Sequence, residues 1–138
     1  MELEIRTGTE ADVAGVLALW RAAEALPTVT DGKAGLQALL AHDPEALLVA
    51  ARDGELVGSL IAAWDGWRGS FYRLAVHPAS RRRGVGTTLI RAGERRLVGL
   101  GARRLTAIVA EDERHAAGLW EAVGYERQAD RARFVRNL

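Results

Sequence analysis

The sequence contains no cysteine and only three prolines among its 138 residues. The absence of cysteine excludes disulfides, a thiolate nucleophile and sulfur-ligated metals. The three histidines, at positions 42, 77 and 115, do not follow a metal-binding spacing, and we expect no metal. The longest apolar run, near residues 60–64, is too short to span a bilayer, and the charged N-terminal stretch is unlike a signal peptide. We therefore expect a cytoplasmic protein without a membrane partner.

Charge is nearly balanced overall but divided unevenly along the chain. The formal net charge of +1 gives no general attraction to nucleic acid, and we expect no nucleic-acid partner. Residues 1–80 carry 6 basic and 11 acidic side chains, whereas residues 81–138 carry 13 basic and 7 acidic ones. The second half therefore favours a polyanionic ligand and the first half a cationic one. Length and a hydrophobic content of 49% predict a single domain over residues 1–138.

Hydrophobic periodicity predicts strands and helices around one sheet. In the first half we expect a strand at 3–7, helices from Thr9 to about Ala25 and after Asp31, and strands at 46–52, 55–64 and 70–76. Asp53-Gly54 predicts a tight hairpin turn between two of these strands. In the second half we expect a helix at 84–100, a strand covered on both faces at 103–110, a helix around 116–123, and closing strands at 125–127 and 132–137. The pattern predicts a mixed-sheet α/β or α+β domain.

The stretch RRRGVGTTLIR, residues 81–91, lies between a predicted strand and a predicted helix. The first N–H groups of a helix have no partner within the helix and attract anions. Gly84 and Gly86 lack a Cβ and would let a phosphate approach the backbone, while the arginines and threonines supply further donors. The stretch therefore indicates either a phosphate-binding turn or a solvated basic loop.

Two nucleotide-binding motifs fit this stretch poorly. A P-loop needs a lysine after its glycines, and none is present. A Rossmann turn needs a third glycine where Leu89 stands, although Asp112 lies at a suitable distance for a ribose ligand. A nucleotide-binding protein is the weaker alternative.

The segment YRLAVHPASRRRGVGTTLIRAGERRL resembles motif A of the GNAT superfamily of acetyl-CoA-dependent N-acetyltransferases. The signature is [Q/R]-x-x-G-x-[G/A] after a strand that ends in a V-[H/D/N]-P turn, and Arg81, Gly84 and Gly86 match it. EIRTGTEADVAGVLALWRAA resembles the family's first strand and helix, and ERHAAGLWEAVGYER resembles its second motif. WDGWRGSFYRLAVHP is similar to small uncharacterised bacterial members. The resemblance covers nearly the whole chain.

The resemblance implies a mixed, mostly antiparallel central sheet, flanked by helices and splayed open around acetyl-CoA. It implies that backbone N–H groups at 83–87 hold the pyrophosphate, that residues 74–76 pair with the pantetheine, and that an N–H near Val76 faces the thioester oxygen. The expected cofactor-binding residues are Leu74, Ala75, Val76, Arg81, Arg82, Arg83, Gly84, Val85, Gly86, Thr87, Glu113, Ala116 and Trp120.

The sequence departs from the family at three positions. Trp120 replaces the usual tyrosine, and because an indole can only donate a hydrogen bond it cannot act as a general acid. Trp120 also fits a core position on an amphipathic helix. Glu113 replaces the usual asparagine. Ile108 stands where the ribosomal-protein alanine acetyltransferases carry a glutamate base.

Tyr72 is our first candidate for removing the proton of the acceptor amine, through a water molecule. Strand alternation predicts that it shares a face with Ser70, Leu74 and Val76. Asp65, in the preceding turn, is the second candidate. Either residue fits an ordinary structural role as well.

His77 and a group of carboxylates are further candidates for the same site. His77 has a suitable pKa but precedes Pro78 in a loop, which favours a structural role. Glu24, Asp31 and Asp65 could form an acidic binding patch.

These features predict acetyl transfer from acetyl-CoA to a primary amine, on a small molecule or a peptide, by direct attack in a ternary complex. The alternative is a non-catalytic CoA-binding regulatory module, because the usual tyrosine is absent. A homodimer is left open.

Overall fold

The structure is a computed structural model, which describes residues 2–25, 27–110 and 113–138. Its elements are β1 (Glu4–Thr7), α1 (Val13–Ala22), α2 (Lys33–His42), β2 (Leu47–Arg52), β3 (Glu55–Trp64), β4 (Gly69–Val76), α3 (Val85–Leu100), β5 (Leu105–Ala107) and α4 (Arg114–Ala122). Short 3-10 turns precede α1 and follow β4. Asp112, the ribose ligand of the nucleotide-binding alternative, lies outside the described residues. Within the described ranges, none of the helices has the length and apolar character needed to cross a membrane.

The five strands form one sheet in the order β1-β2-β3-β4-β5. The first four strands pair antiparallel, and β5 pairs parallel to β4. Asp53 and Gly54 both have positive φ angles, of 54° and 81°, as the predicted hairpin turn between β2 and β3 requires. The predicted fold, a mixed and mostly antiparallel sheet flanked by helices, is confirmed.

Hydrophobic side chains cover both faces of the sheet. On one face, Leu89, Ile90 and Leu97 of α3 are fully buried in a cluster with Leu60 and Phe71. On the other face, a second cluster joins α1 and α2 to the sheet through the buried side chains Val13, Val16, Trp20, Leu36, Val49 and Ile61. The sheet is thus the middle layer of three, which explains its buried central strands.

A β-bulge interrupts β4 next to the point where the cofactor is expected. Ile61 pairs with Tyr72 and Ser59 pairs with Ala75, so that one residue of β3 but two of β4 lie between these pairs. Arg73, inside the bulge, has a φ of 54°. The extra residue reverses the alternation of side chains along the strand.

The bulge corrects the predicted orientation of Tyr72. Tyr72 lies opposite Ile61, which belongs to the α1/α2 face, whereas Val76 lies opposite Gly58 and packs in the α3 cluster. The prediction that Tyr72 shares a face with Leu74 and Val76 is therefore wrong. Tyr72 instead points to the side of the sheet that α1 covers.

Two predictions for the C-terminal part are also wrong. The strand expected at 103–110 is reduced to Leu105–Ala107, because β4 and β5 pair only as far as Phe71 and Ala107. Ile108, expected to be covered on both faces, is 44% exposed. The closing strands expected at 125–127 and 132–137 are irregular, and the side chain of Phe134 is 94% exposed. These segments have a strand-like sequence pattern, but within the described chain they do not pair with any strand.

Candidate active site

A cleft of about 430 Å³ opens where β4 and β5 separate. Its walls are residues 23–25 after α1, residues 74–76 of β4, Arg81, residues 113–116 at the start of α4, and Leu119. β4 continues beyond its last pair with β5, which leaves the peptide groups on that edge without a neighbouring strand in the described chain. Such an edge can hydrogen-bond an extended ligand like an added strand. The structure thus brings together the residues expected for the pantetheine and two of those expected in the second motif, Glu113 and Ala116.

The basic end of the cleft lies beside the N-terminus of α3. Gly84 caps this helix with a φ of 78°, and Arg82 also has a left-handed backbone, with a φ of 65°. Arg81 lines the cleft, and its Nε is buried without a hydrogen-bond partner among the described residues. A buried N–H donor without an acceptor is costly unless a ligand supplies one. This arrangement fits an anionic group such as a pyrophosphate, with Arg83, Val85 and Thr87 in the same turn.

The two glycines of this turn have different roles. No atom lies within 4 Å of a Cβ built on Gly84, so that its backbone is open to a ligand. A Cβ on Gly86 would instead lie 2.3 Å from Leu119 Cδ2. The missing side chain of Gly86 therefore lets α3 pack closely on α4, and its role in phosphate approach stays a prediction. Thr88, another proposed donor, uses its hydroxyl to bond Gly84 O at 2.7 Å.

Trp120 lies behind the cleft wall. It is 5% exposed and packs against Phe71 in a tilted arrangement and against Tyr125 edge-to-face, at ring-centroid distances of 5.2 and 4.9 Å. It is not among the described residues that line the cleft, and its Nε1 is buried without a hydrogen-bond partner within the described chain. The core position is thus the role that the structure supports for Trp120, whereas the other two residues expected in this motif, Glu113 and Ala116, line the cleft.

Tyr125 does not replace the missing tyrosine. Its hydroxyl donates a hydrogen bond to Glu94 at 2.6 Å. Burial, and then the Glu94 carboxylate, raise the pKa of Tyr125 well above its ordinary value. A phenol with a raised pKa is a poor proton donor.

His115 lines the cleft, although it is not among the cofactor-binding residues expected from the sequence. Burial lowers the pKa of His115, and the nearby Arg81 and Arg82 cations lower it further. Its place in the first turn of α4, one residue before the family's alanine, was the signal that could have identified it.

The three carboxylates of the possible acidic patch have different surroundings. Asp31 pairs with Arg73 of the bulge, with Arg73 Nε donating to Asp31 Oδ1 at 3.1 Å. Asp65 accepts hydrogen bonds from the backbone N–H groups of Arg68 and Trp67, at 2.7 and 2.8 Å. These bonds lower the pKa of Asp65, which makes it a weaker base. Glu24 is the member of the trio that lines the cleft.

The two remaining catalytic candidates, His77 and Tyr72, differ in their surroundings. His77 accepts the Ala79 N–H with its Nδ1 at 3.1 Å and so caps the 3-10 turn, which supports a structural role. Tyr72 is 39% exposed on the face of the sheet that α1 covers. Only Arg73 separates it in the chain from the cleft-lining residues of β4.

The bulge is held in place by a buried polar network that the sequence did not reveal. Trp20 Nε1 donates to Ser59 Oγ at 2.9 Å, and Ser59 Oγ donates in turn to the carbonyl oxygen of Arg73 at 3.4 Å. The Arg73 guanidinium lies over the Trp20 ring, 5.7 Å from its centroid. The network ties α1 and the α1–α2 loop to the middle of β4.

A sheet whose strands β4 and β5 separate, a bulge on β4 and a basic, glycine-containing turn at the start of α3 define the class of protein. The Acetyltransferase (GNAT) family matches residues 16–125, and the chain belongs to this family. The predicted family membership is confirmed, and the protein is an acetyltransferase.

The chain is similar to curated bacterial acetyltransferases. It is 38% identical to one from Yersinia enterocolitica, over 91% of this chain and 89% of that protein. It is 37% identical to one from Pectobacterium atrosepticum, over 90% of this chain and 88% of that protein. Among solved structures it is similar in fold to Ard1 from Thermoplasma volcanium, with a TM-score of 0.83 at 20% identity over 94% of this chain and 86% of that one. It is also similar in fold to the PaiA N-acetyltransferase from Thermoplasma acidophilum in complex with coenzyme A. The TM-score is 0.79 at 16% identity, over 93% of this chain and 92% of that one.

Proposed function

We propose that the protein transfers an acetyl group from acetyl-CoA to a primary amine, on a small molecule or a peptide, within a ternary complex. The observation that carries the proposal is the cleft itself, in which, among the described residues, one edge of β4 has no neighbouring strand and Arg81 Nε at the basic end has no hydrogen-bond partner. The strand edge fits a pantetheine arm, and the Arg81 end fits a pyrophosphate. Family membership and the coenzyme A in the PaiA structure support the same ligand.

Residues 74–76 supply the groups for the acyl-transfer step. The amine nitrogen attacks the thioester carbonyl carbon, the C–N bond forms, the C–S bond breaks with its electron pair leaving on the CoA sulfur, and the nitrogen loses a proton. A backbone N–H near Val76, aimed at the carbonyl oxygen, stabilises the developing negative charge by about 3 kcal/mol. Because the chain contains no cysteine, direct attack replaces a route through an acetylated thiol.

Binding and turnover test the proposal separately. Acetyl-CoA should raise the Tm in proportion to saturation. Free thiol should appear when amines are added to protein and acetyl-CoA. Arg81→Gln should weaken acetyl-CoA binding by about tenfold or more, since it removes a charge-assisted contact. Arg103→Gln, an exposed position outside this cleft, is the matched control and should bind normally.

Three outcomes would contradict the proposal. Stabilisation by NAD or ATP but not by acetyl-CoA would favour the nucleotide-binding alternative. Tight acetyl-CoA binding without thiol release from any amine would favour the regulatory CoA-binding module. Equal effects of Arg81→Gln and Arg103→Gln would place the phosphates elsewhere.

For proton removal we propose Tyr72, acting through water, in preference to Asp65 with its lowered pKa. Tyr72→Phe should lower kcat by about tenfold, at the modest end of general acid–base effects, with acetyl-CoA affinity intact. The measurement is kcat against pH for both proteins. An unchanged rate and pH profile would make Tyr72 a packing residue.

A further inference from the structure

Helices α1, α3 and α4 end in the same hydrogen-bonded turn. In each, a residue with a left-handed backbone donates its N–H to the carbonyl three residues earlier, and the next residue donates to the carbonyl five residues earlier. In α3 and α4 the left-handed residue is glycine, Gly101 with a φ of 110° and Gly124 with a φ of 103°. In α1 it is Glu24, with a φ of 59°.

Glutamate is poorly suited to this position on two counts. A Cβ is strained in the left-handed region, which is why glycine commonly ends such helices. A carboxylate beside the last carbonyl groups of a helix also lies at the negative end of the helix dipole. Glu24 is exposed, and none of the hydrogen bonds or ion pairs within the described chain involves its carboxylate. Local energetics at the end of α1 therefore favour glycine over the residue that is present.

The position of Glu24 at the cleft provides a reason why glutamate, and not glycine, follows α1. Non-glycine residues with positive φ in the described chain are Glu24, Asp53, Arg73 and Arg82. Asp53 belongs to the β2–β3 hairpin, whereas Glu24 lines the cleft and the other two directly precede or follow a lining residue. Strained backbone that persists at a cleft indicates a functional constraint.

The cationic groups of the cleft come from the segment before α3 and from the start of α4. Arg81, Arg114 and His115 lie, together with the carboxylate of Glu113, on the wall that fits the anionic part of acetyl-CoA. Glu24 projects from the end of α1, on the side of the sheet that also carries Tyr72. A cationic acceptor that enters between α1 and β4 meets this carboxylate first.

We propose that Glu24 binds the ammonium group of the acceptor amine and so selects cationic acceptors over zwitterionic ones. The inference rests on the proposed acetyl transfer to an amine and names a residue and a substrate class for it. The left-handed backbone places the carboxylate at the mouth of the cleft, where it forms a charge-assisted hydrogen bond with the ammonium before the proton is lost. An acceptor with a carboxylate next to its amine is repelled by Glu24.

The test compares Glu24→Gln and Glu24→Gly with Asp53→Gly. The control also removes one carboxylate from a left-handed position, but in the hairpin. Acceptors are 1,4-diaminobutane, butylamine, glycine and a short peptide with a free N-terminus. Both Glu24 variants should raise the KM of the best cationic acceptor by about tenfold or more, with the KM of acetyl-CoA unchanged. Both variants should also lower the ratio of kcat/KM for 1,4-diaminobutane to kcat/KM for glycine. Glu24→Gly should at the same time raise the Tm by a few degrees, because it relieves the strain.

The outcomes separate this inference from the proposed function. Normal acceptor KM values in both Glu24 variants, with a working wild-type enzyme, would overturn the role of Glu24 and leave acetyl transfer intact. A parallel loss of acetyl-CoA affinity would assign Glu24 to the cofactor wall and overturn the inference as well. Acetyl-CoA binding without turnover of any amine by the wild type would overturn the proposed function and this inference together.

Discussion

We expect the ion pair between Asp31 and Arg73 to be the strongest single interaction between the α1–α2 loop and the bulge on β4. We expect Asp31→Asn to break it while keeping the size of the side chain. Asp31 accepts two bonds from the Arg73 guanidinium, and its Oδ2 also accepts the N–H and hydroxyl of Thr28 at 2.6 and 2.8 Å. The variant therefore weakens the anchor of the loop as well as the ion pair.

The magnitude follows from burial. The Asp31 and Arg73 side chains are 9% and 19% exposed, so solvent screens the pair only in part. Removing one partner of a fully buried pair costs about 3–5 kcal/mol, and partial exposure reduces this to about 2 kcal/mol here. A chain of this length loses about 4 °C of Tm per kcal/mol, which gives a decrease of about 8 °C.

Thermal unfolding followed by circular dichroism measures the shift, and a double-mutant cycle with Arg73→Gln isolates the coupling. Asp130→Asn, in an exposed pair with Arg131, is the control and should change the Tm very little. A decrease under about 2 °C for Asp31→Asn, or additive effects in the cycle, would refute the reasoning about burial.

Three further predictions concern packing and titration. Gly86→Val should lower the free energy of unfolding by about 2 kcal/mol through overlap with Leu119, and Leu119→Ala should restore part of it; lost acetyl-CoA affinity at unchanged stability would contradict this. Asp12→Asn should lower the free energy of unfolding at pH 7, and by progressively less as the pH falls from about 4 to 2, because hydrogen bonding lowers the pKa of Asp12 to about 2 in the folded state. A difference in Tm that does not change with pH would contradict this. Acetyl-CoA should raise the pKa of His115 by neutralising the nearby cations, as measured by NMR titration; an unchanged value would place the phosphates away from α4.

The sequence predicted those parts of the fold that local chemistry determines. The bounds of β3, Glu55–Trp64, follow from the Asp53-Gly54 turn and a long apolar strand pattern. The start of α3 follows from Gly84, which tolerates the left-handed backbone found there. The family motifs pointed to Arg81, to residues 74–76 of β4 and to Glu113 and Ala116, which the structure places around one cleft; their binding of acetyl-CoA stays a prediction.

Features that depend on distant contacts were not predictable. Arg73 occupies a left-handed conformation without any local signal, and the bulge is held by Ser59 and Asp31 from other elements. The reversed face of Tyr72 follows from this bulge. The space beside Gly86 is filled by Leu119, which is distant in sequence.

The sheet order, which repeats the order of the strands in the chain, has a consequence for synthesis on the ribosome. Each strand pairs with the one made just before it, so that β1 to β4 can assemble, with α1 and α2 covering one face, before α3 is complete. Until α3 emerges, the apolar side chains that it covers, among them Leu60 and Phe71, remain in contact with water. The nascent chain is most prone to aggregation during this interval, and a chaperone that binds apolar surface would act then.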